Sequence, residues 1–202
     1  MTVRLGVIGS SAGNGHPYSW SAIFNGYDAE AMQECEYPVI PGYLSQQRWP
    51  DAKISGAEVS SIWTQDSELS ARIAKASCIE HISSTLVELE SKVDAVLLAR
   101  DDAENHLHFA RQFLLAGKPV YIDKPIALSM TALHELYDLQ QYSGQIFTCS
   151  ALSYSAEFRL SPEVRSELGY ITSISASTPK YWEKYAVHII EPVLKMINPN
   201  EP

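Results

Sequence analysis

The stretch from Val93 to Ala127 constrains the fold of this chain more than any other. Ala95 to Leu98 is a short apolar run, as expected of a strand that is buried on both faces of a parallel sheet. Apolar side chains then recur at helical spacing up to Gly117, and a second apolar run ends at Ile122. This strand–helix–strand order predicts an α/β fold whose strands end in ligand-binding loops.

The same alternation covers the first three quarters of the chain. Strands are predicted at residues 3–8, 57–63, 79–82, 93–98, 119–122 and 145–151. Helices are predicted between them, at about residues 16–26, 67–76, 84–90, 102–116 and 129–142. This order predicts a Rossmann-type doubly wound parallel sheet over residues 1–151.

Residues 152–202 are predicted to begin a second α/β domain. A short helix starts at Ser161-Pro162, and Tyr170 to Ser177 alternates in the manner of a strand. A last helical segment covers Tyr185 to Ile197, with Pro192 inside it. We therefore expect a second domain of which this chain carries only a part.

Composition excludes several classes of partner. The 202 residues carry a net charge of −9 and no cluster of lysine and arginine, so nucleic acid and anionic membranes are poor candidates. No apolar run approaches the roughly 18 residues that indicate a membrane span. Three widely spaced cysteines, Cys35, Cys78 and Cys149, form neither a disulfide framework nor a metal-ligand pattern, which is typical of a cytoplasmic protein.

Four short motifs, in this order, resemble the glucose-fructose oxidoreductase and inositol dehydrogenase family (Gfo/Idh/MocA). They are Asp94-Ala95-Val96, His106, Ala116-Gly117-Lys118-Pro119-Val120 and Asp123-Lys124-Pro125. The resemblance extends more loosely from about residue 2 to residue 197. It implies a dinucleotide-binding domain followed by a second α/β domain, and an oxidoreductase that uses NAD or NADP on the CH–OH groups of a sugar, sugar nucleotide or cyclic polyol.

The loop after the first predicted strand is rich in glycine. It contains Gly9, Ser10, Ser11, Gly13 and Gly15, in a spacing that differs from G-x-G-x-x-G. Such a loop before a helix can bring backbone N–H groups close to a pyrophosphate, and the resemblance aligns it with the family's phosphate loop. The glycines alone are equally consistent with an ordinary turn.

The second predicted strand ends at Thr64, where many dinucleotide enzymes carry an acidic residue that binds the adenosine ribose. Asp66 follows two residues later and can either reach the ribose or cap the next helix, and the cap is the favoured role. No arginine follows the strand directly, so NAD is slightly preferred over NADP.

Residues 27–56 show no regular spacing of apolar side chains. The spacing is interrupted by Pro38, Pro41, Gly42 and Pro50. Compared with the family they form an insertion of roughly 25 residues, longer than most loops of compact domains. A lid or contact surface is one interpretation. A loop that packs over the edge of the domain is the favoured one.

Lys124 and His188 are the candidate catalytic residues. By resemblance, Lys124 matches the lysine of the family's Glu-Lys-Pro motif, which positions substrate and relays protons; Asp123 replaces the glutamate. His188, in the pattern His188-Ile189-Ile190-Glu191, matches the family's catalytic histidine, although Lys184 stands where the family often has aspartate. A solvated lysine and a histidine on a helix face without a ligand role are the competing interpretations.

His106 matches a family histidine near the cofactor, and Arg100 precedes it in the same loop. The resemblance thus implies a cofactor site formed by the glycine-rich loop, Thr64, Asp66, Arg100, His106, Asp123 and Lys124. The alternative for His106 is a histidine in the first turn of a surface helix. No group of residues has the spacing of a metal site.

Two functions remain open from the sequence: a nicotinamide-dependent oxidoreductase and a dinucleotide-binding module without turnover. Asp123-Lys124-Pro125, His106 and His188 favour the first. The irregular glycine loop, Thr64 and Lys184 favour the second. A lone strand at residues 170–177 would need a partner, so we expect a homo-oligomer, most simply a dimer, with residues 170–197 in or near the interface. A truncated chain is the competing explanation.

Overall fold

The computed structural model describes residues 2–197, and the chain divides into two compact units after Phe147. The first unit contains six strands: β1 (Val3–Ile8), β2 (Ala57–Trp63), β3 (His81–Ile82), β4 (Ala95–Leu98), β5 (Val120–Ile122) and β6 (Ile146–Phe147). They form one parallel sheet in the order β3-β2-β1-β4-β5-β6. This is the strand order of a Rossmann fold, so the predicted doubly wound α/β architecture is confirmed.

Seven α-helices of the first unit connect these strands. They are α1 (His16–Asn25), α2 (Ala29–Gln33), α3 (Val39–Leu44), α4 (Ser67–Ala76), α5 (Leu86–Lys92), α6 (His106–Leu115) and α7 (Met130–Asp138). Within residues 2–197, no helix has both the length and the apolar character needed to cross a bilayer.

Two buried clusters form the core of the first unit. Along β1, side chains alternate between the faces of the sheet, so Val7 joins one cluster and Ile8 the other. The first cluster packs β1 and β2 against α1 and α4, and the second packs β4 and β5 against α6. A fully buried side chain such as Phe113 contributes roughly 1.5–3 kcal/mol relative to an exposed one. Helices on both faces thus hold the strand ends in fixed positions.

Residues 27–56 are not the irregular edge loop that the sequence favoured. They form α2 and α3, and Met32, Ile40 and Leu44 are buried in the first core cluster. Asp28 caps α2 by accepting from the N–H of Ala31 at 2.8 Å. Each helix has only one or two turns, and prolines and a glycine lie in the same segment, so the sequence shows no helical period. The apolar side chains of both helices still reach the core.

Several boundaries differ from the sequence prediction in length. The third and sixth strands have two residues each, because β3 and β6 are the sheet edges and pair on one side only. The helix predicted to reach residue 142 ends at Asp138. Helix α5 begins at Leu86, after the Thr85 side chain accepts from the N–H of Glu88 at 3.1 Å. These shifts leave the strand order unchanged.

In the second unit, the described residues up to 197 form three α-helices: α8 (Pro162–Leu168), α9 (Trp182–Tyr185) and α10 (Val187–Ile197). The strand predicted at Tyr170–Ser177 is wrong, since the described residues of this unit contain no strand with which it could pair. Ile174 and Ala176 instead line a cavity of about 210 Å³ together with apolar side chains of α10. The alternation that suggested a strand thus places alternate side chains beside a helix.

Candidate functional site

The carboxyl edge of the sheet gathers most of the predicted site residues. Parallel strands end at the same edge, so the loops after β1, β2, β4 and β5 are neighbours there. The strand order reverses between β1 and β4, which places the loops at residues 9–15 and 99–102 on either side of the switch point. Open α/β sheets bind ligands in the crevice at this point.

Side chains from other loops hold the glycine-rich loop in place. The Gln65 amide accepts from the N–H of Ser10 at 3.2 Å and donates to the Ser10 carbonyl at 2.8 Å. On the other side, the Ser11 hydroxyl donates to Asp101 Oδ1 at 2.6 Å and accepts from the N–H of Asp101 at 3.0 Å. The loop is therefore fastened to the ends of both β2 and β4.

The backbone N–H groups at the start of α1 donate hydrogen bonds to acceptors within the chain. The N–H of His16 donates to Asn14 Oδ1 at 2.8 Å, and the next residue is a proline. The N–H groups of Tyr18 and Ser19 both donate to the Gly15 carbonyl, at 3.1 and 3.2 Å. This helix N-terminus therefore offers fewer donors than the usual site for a phosphate at the start of a helix.

The tip of the loop is the part that remains open. Ala12 and Gly13 are exposed, and within residues 2–197 their N–H groups donate to no protein acceptor. Gly13 has a φ of +77°, a conformation that side-chain-bearing residues rarely adopt. Consecutive backbone N–H groups in a turn can form a concave anion site.

Gly15 is a glycine for a different reason. A Cβ at this position would lie 2.6 Å from Ile40 Cδ1 and 2.9 Å from the Tyr37 ring. The insertion at residues 27–56 therefore packs directly on the start of α1, and only a residue without a side chain fits between them. Gly15 serves this packing in the structure.

At the tip of β2, the two predicted ribose residues have local contacts. Thr64 is buried, and its hydroxyl lies 2.9 Å from Ser70 Oγ and donates to the Asp66 carbonyl at 2.5 Å. The Asp66 carboxylate accepts from the N–H groups of Glu68 and Leu69, at 2.9 and 3.2 Å. Asp66 is thus the cap of α4, the role favoured by its position in the sequence.

Arg100 is buried at the end of β4 and makes a bidentate ion pair with Asp102, at 2.9 and 2.6 Å. Its third contact reaches Gln65 Oε1 at 3.0 Å, and its guanidinium lies 4.3 Å from the centre of the Phe109 ring. Burial raises the pKa of the Asp102 carboxyl, but hydrogen bonds from Arg100 and Asn105 outweigh this effect and hold the pKa below its usual value. Arg100 therefore links the loops after β2 and β4.

His106 is fully buried at the start of α6. Its Nδ1 lies 3.0 Å from the Ile126 carbonyl oxygen and its Nε2 lies 2.8 Å from the Arg100 carbonyl oxygen. Both ring nitrogens thus contact backbone groups of the loops after β4 and β5. The side chain holds these two loops together, and it is not on the surface as the alternative interpretation required.

Asp123 and Lys124 follow β5 at the same edge. Asp123 is 1% exposed, and its Oδ2 accepts from Asn14 Nδ2 at 2.9 Å and from His16 Nδ1 at 2.5 Å. Its Oδ1 accepts from the N–H of Lys124 at 2.8 Å and lies 3.9 Å from Lys124 Nζ. The Lys124 side chain is mostly buried, at 11% exposure. A buried carboxylate and a lysine thus stand side by side at the strand end.

His188 lies on α10, in the second unit. Its Nδ1 is 2.8 Å from the Ser150 hydroxyl, while Glu191, one turn later, accepts from the N–H of Ser150 and the hydroxyl of Ser153, both at 2.6 Å. The His-x-x-Glu pattern therefore holds the turn at residues 150–154 against α10. Lys184 lies on α9, the preceding helix.

The sequence reasoning missed several residues of the first unit that contact the predicted site, among them Asn14, His16 and Gln65. Each contacts a residue far away in the chain, by 109 positions for Asn14 and Asp123 and by 55 for Gln65 and Ser10. Their one local signal is position, because each is a polar residue in or directly after a loop that follows a buried strand. No cluster in residues 2–197 has the three His, Cys, Asp or Glu side chains that a metal ion would need.

The sequence profile of an oxidoreductase family with an NAD-binding Rossmann fold (Gfo/Idh/MocA) matches residues 3–150. Among solved structures, the chain is similar to myo-inositol dehydrogenase from Lactobacillus casei in complex with NAD(H) and myo-inositol. The two are 16% identical over 83% of this chain and 41% of that one, with a TM-score of 0.56. No curated protein is significantly similar to this chain in sequence.

Two further solved structures share the fold. A Gfo/Idh/MocA family oxidoreductase from Vibrio cholerae is 17% identical over 75% of this chain and 40% of its own, with a TM-score of 0.52. A myo-inositol 2-dehydrogenase from Lactobacillus plantarum is 14% identical over 78% of this chain and 39% of its own, also with a TM-score of 0.52. The chain thus spans about two fifths of the length of these proteins, and at such identities the similarity establishes the fold alone.

Proposed function

Because this chain belongs to the Gfo/Idh/MocA family of oxidoreductases with an NAD-binding Rossmann fold, we propose that it binds a nicotinamide dinucleotide at the carboxyl edge of its sheet. We propose further that it takes part in hydride transfer to or from a CH–OH group of a sugar, sugar nucleotide or cyclic polyol. The observation that carries the proposal is Lys124, which stands two residues after the end of β5, beside the buried Asp123.

The proposed pyrophosphate site is the tip of the loop at residues 9–15. Its support is the pair of exposed N–H groups of Ala12 and Gly13, at the switch point of the sheet. The start of α1 contributes less, because its N–H groups already have acceptors within the chain. The donor set fits a pyrophosphate that is bound by the loop itself, which is consistent with the altered glycine spacing.

NAD is the proposed preference over NADP. A 2′-phosphate needs a cation near the tip of β2, and the guanidinium that reaches this tip belongs to Arg100. Two of its nitrogens already donate to Asp102, and the side chain is buried. A titration that compares NADH with NADPH tests this preference, and tighter binding of NADPH would reject it.

Lys124 is the proposed catalytic residue. A bound nicotinamide would supply or accept the hydride. An ammonium or amine at the strand end can donate a hydrogen bond to the substrate oxygen and assist its proton transfer. His106, Arg100 and Gln65 would act indirectly, because their side chains hold the loops that shape the site.

His188 remains a predicted proton acceptor, and a His188→Gln variant in the turnover assay tests that role.

A turnover assay on a panel of cyclic polyols, sugars and sugar nucleotides, with NAD and NADP, tests the proposed function. The expected result is dehydrogenation of at least one member of the panel.

The second candidate function, binding without turnover, is favoured by the missing carboxylate at the tip of β2, where Thr64 is buried and Asp66 caps a helix. Saturable dinucleotide binding without turnover of any member would favour this second function.

Gly13→Val is expected to lower dinucleotide affinity by about tenfold or more, because valine cannot adopt the loop conformation without strain. Gly144→Val is the matched control, since Gly144 also has a positive φ, +82°, with no atom within 4 Å of an added Cβ, but follows α7. Both variants should lose similar stability, and only Gly13→Val should lose affinity. Equal affinities in a fluorescence titration would show that the loop does not bind the pyrophosphate.

We also propose a homo-oligomer and a cytoplasmic location. The first rests on exposed apolar side chains in residues 170–197, such as Tyr170 at 94% and Leu194 at 51% exposure. Sedimentation at micromolar concentration measures the assembly, and a monomer would reject it. The second rests on three cysteines that no disulfide joins within residues 2–197, and fractionation of the source cells tests it.

A further inference from the structure

The carboxylate of Asp123 joins Lys124 to a histidine from another element. Oδ1 faces Lys124, at 2.8 Å from its backbone N and 3.9 Å from Nζ. Oδ2 accepts from His16 Nδ1 at 2.5 Å and from Asn14 Nδ2 at 2.9 Å. A carboxylate that is 1% exposed requires such donors, and the shortest of these contacts is the one to His16.

The imidazole of His16 is fixed by more than this hydrogen bond. Its ring stacks on Trp20, with centroids 4.7 Å apart and planes 12° from parallel. The edge of Trp20 packs in turn on Tyr121, at 5.0 Å, and Tyr121 stands two residues before Asp123 on β5. The strand thus supplies both the acceptor for His16 and the aromatic support of its ring. The orientation of His16 relative to Asp123 is therefore set by two independent contacts.

Because the carboxylate accepts hydrogen bonds without donating any, Nδ1 of His16 must carry the shared proton. This contact holds Oδ2 on the side of α1. The separation of 3.9 Å between Oδ1 and Lys124 Nζ exceeds the roughly 2.8 Å of a hydrogen-bonded ion pair. The short contact to His16 and the long one to Lys124 thus belong to the same carboxylate.

We propose that His16 is a positioning residue for Lys124: by holding Asp123, it sets the separation between the carboxylate and the ammonium. This inference rests on the proposed role of Lys124. It also accounts for the aspartate that replaces the glutamate of the Glu-Lys-Pro motif. The shorter side chain meets His16 and Asn14 at 2.5 and 2.9 Å, and an added methylene would push its oxygens into them.

Two substitutions at His16 separate positioning from proton transfer. His16→Asn places an amide nitrogen where Nδ1 lies and keeps a donor to Asp123, whereas His16→Ala removes the donor. His16→Ala is expected to lower turnover by about tenfold or more, the scale of a misplaced catalytic group, while His16→Asn should restore most of it. His134→Ala, at an exposed position on α7, is the matched control and should leave turnover unchanged.

A second readout needs neither cofactor nor turnover. The rate at which an amine-reactive ester acylates Lys124 can be followed by labelling the whole chain, digesting it and measuring the peptide that contains Lys124 by mass spectrometry. In His16→Ala we expect this rate to fall by about threefold or more, because a carboxylate released from His16 can close the 3.9 Å gap to Lys124 Nζ and hold the amine in a hydrogen bond, away from the reagent. His16→Asn and His134→Ala should acylate at the wild-type rate.

Two outcomes would overturn the inference. Equal loss of turnover in His16→Asn and His16→Ala would mean that the imidazole itself moves a proton. Unchanged acylation of Lys124 in His16→Ala would mean that His16 does not set the contact between Asp123 and Lys124. Failure of the proposed function is distinct, because it would appear as a wild-type chain that binds no dinucleotide or turns over no substrate, and the acylation rates would still decide the role of His16.

Discussion

Replacing Lys124 with alanine is expected to lower turnover by about 10²-fold or more, the range for loss of acid–base assistance. Lys124 stands two residues after the end of β5, at the edge where ligands of such sheets bind, and its side chain is mostly buried beside Asp123. The proposed pyrophosphate site lies in a different loop, so the affinity for the dinucleotide should be nearly unchanged. Steady-state kinetics together with a binding titration measure both quantities.

The control for this experiment is Lys75→Ala, which removes an exposed lysine from α4. This variant should retain both turnover and affinity. If Lys124→Ala lost affinity and rate by the same factor, Lys124 would bind the cofactor or support the fold, and its proposed catalytic role would be rejected.

Arg100→Met is expected to lower the free energy of unfolding by about 3–5 kcal/mol, the usual cost of removing one partner from a buried ion pair. Methionine preserves much of the packing on Phe109 but leaves Asp102, whose side chain is 17% exposed, without its bidentate partner. Denaturant unfolding measures the loss. Arg111→Met, at an exposed position on α6, should change the stability little.

The double variant Arg100→Met/Asp102→Leu identifies the cause. If the ion pair accounts for the cost, removing both charges should destabilise the protein less than the sum of the two single substitutions. Additive effects would show that Arg100 acts through its contacts with Gln65 and Phe109 instead.

The effect of Arg100→Met should also depend on pH. The folded-state pKa of Asp102 lies below its usual value, so the stability from this group is present above the unfolded pKa of about 4 and is lost as the pH falls through the folded value. The difference in stability between wild type and variant should therefore be largest near neutral pH and shrink below about pH 4. A constant difference would exclude the ion pair as its source.

Local patterns were sufficient to predict the strand ends that form the site. The predicted limits of β1 and β2 are those of the structure, because β1 stops at Gly9 and β2 stops at the polar cluster Thr64-Gln65-Asp66. The cap at Asp66 was also predictable, since it depends on residues two and three positions away. Signals confined to one segment thus sufficed for the limits of these two strands and for the cap.

Contacts between distant segments could not be predicted in this way. The pairing of His16 with Asp123 joins residues 107 positions apart, and nothing in the first turn of α1 indicates its partner. The same holds for Gly15, whose lack of a side chain is explained by Tyr37 and Ile40 of the insertion. The strand predicted at residues 170–177 failed because alternation describes one segment, whereas a strand also needs a neighbour.

The most direct test of the account is a titration of the wild-type chain with NADH, followed by energy transfer from its tryptophans to the nicotinamide. The account predicts a saturable increase in transfer with one dinucleotide bound per chain, and competition by adenosine diphosphate ribose, which carries the same pyrophosphate. A signal that fails to saturate, or that adenosine diphosphate ribose does not displace, would contradict dinucleotide binding at the loop of residues 9–15.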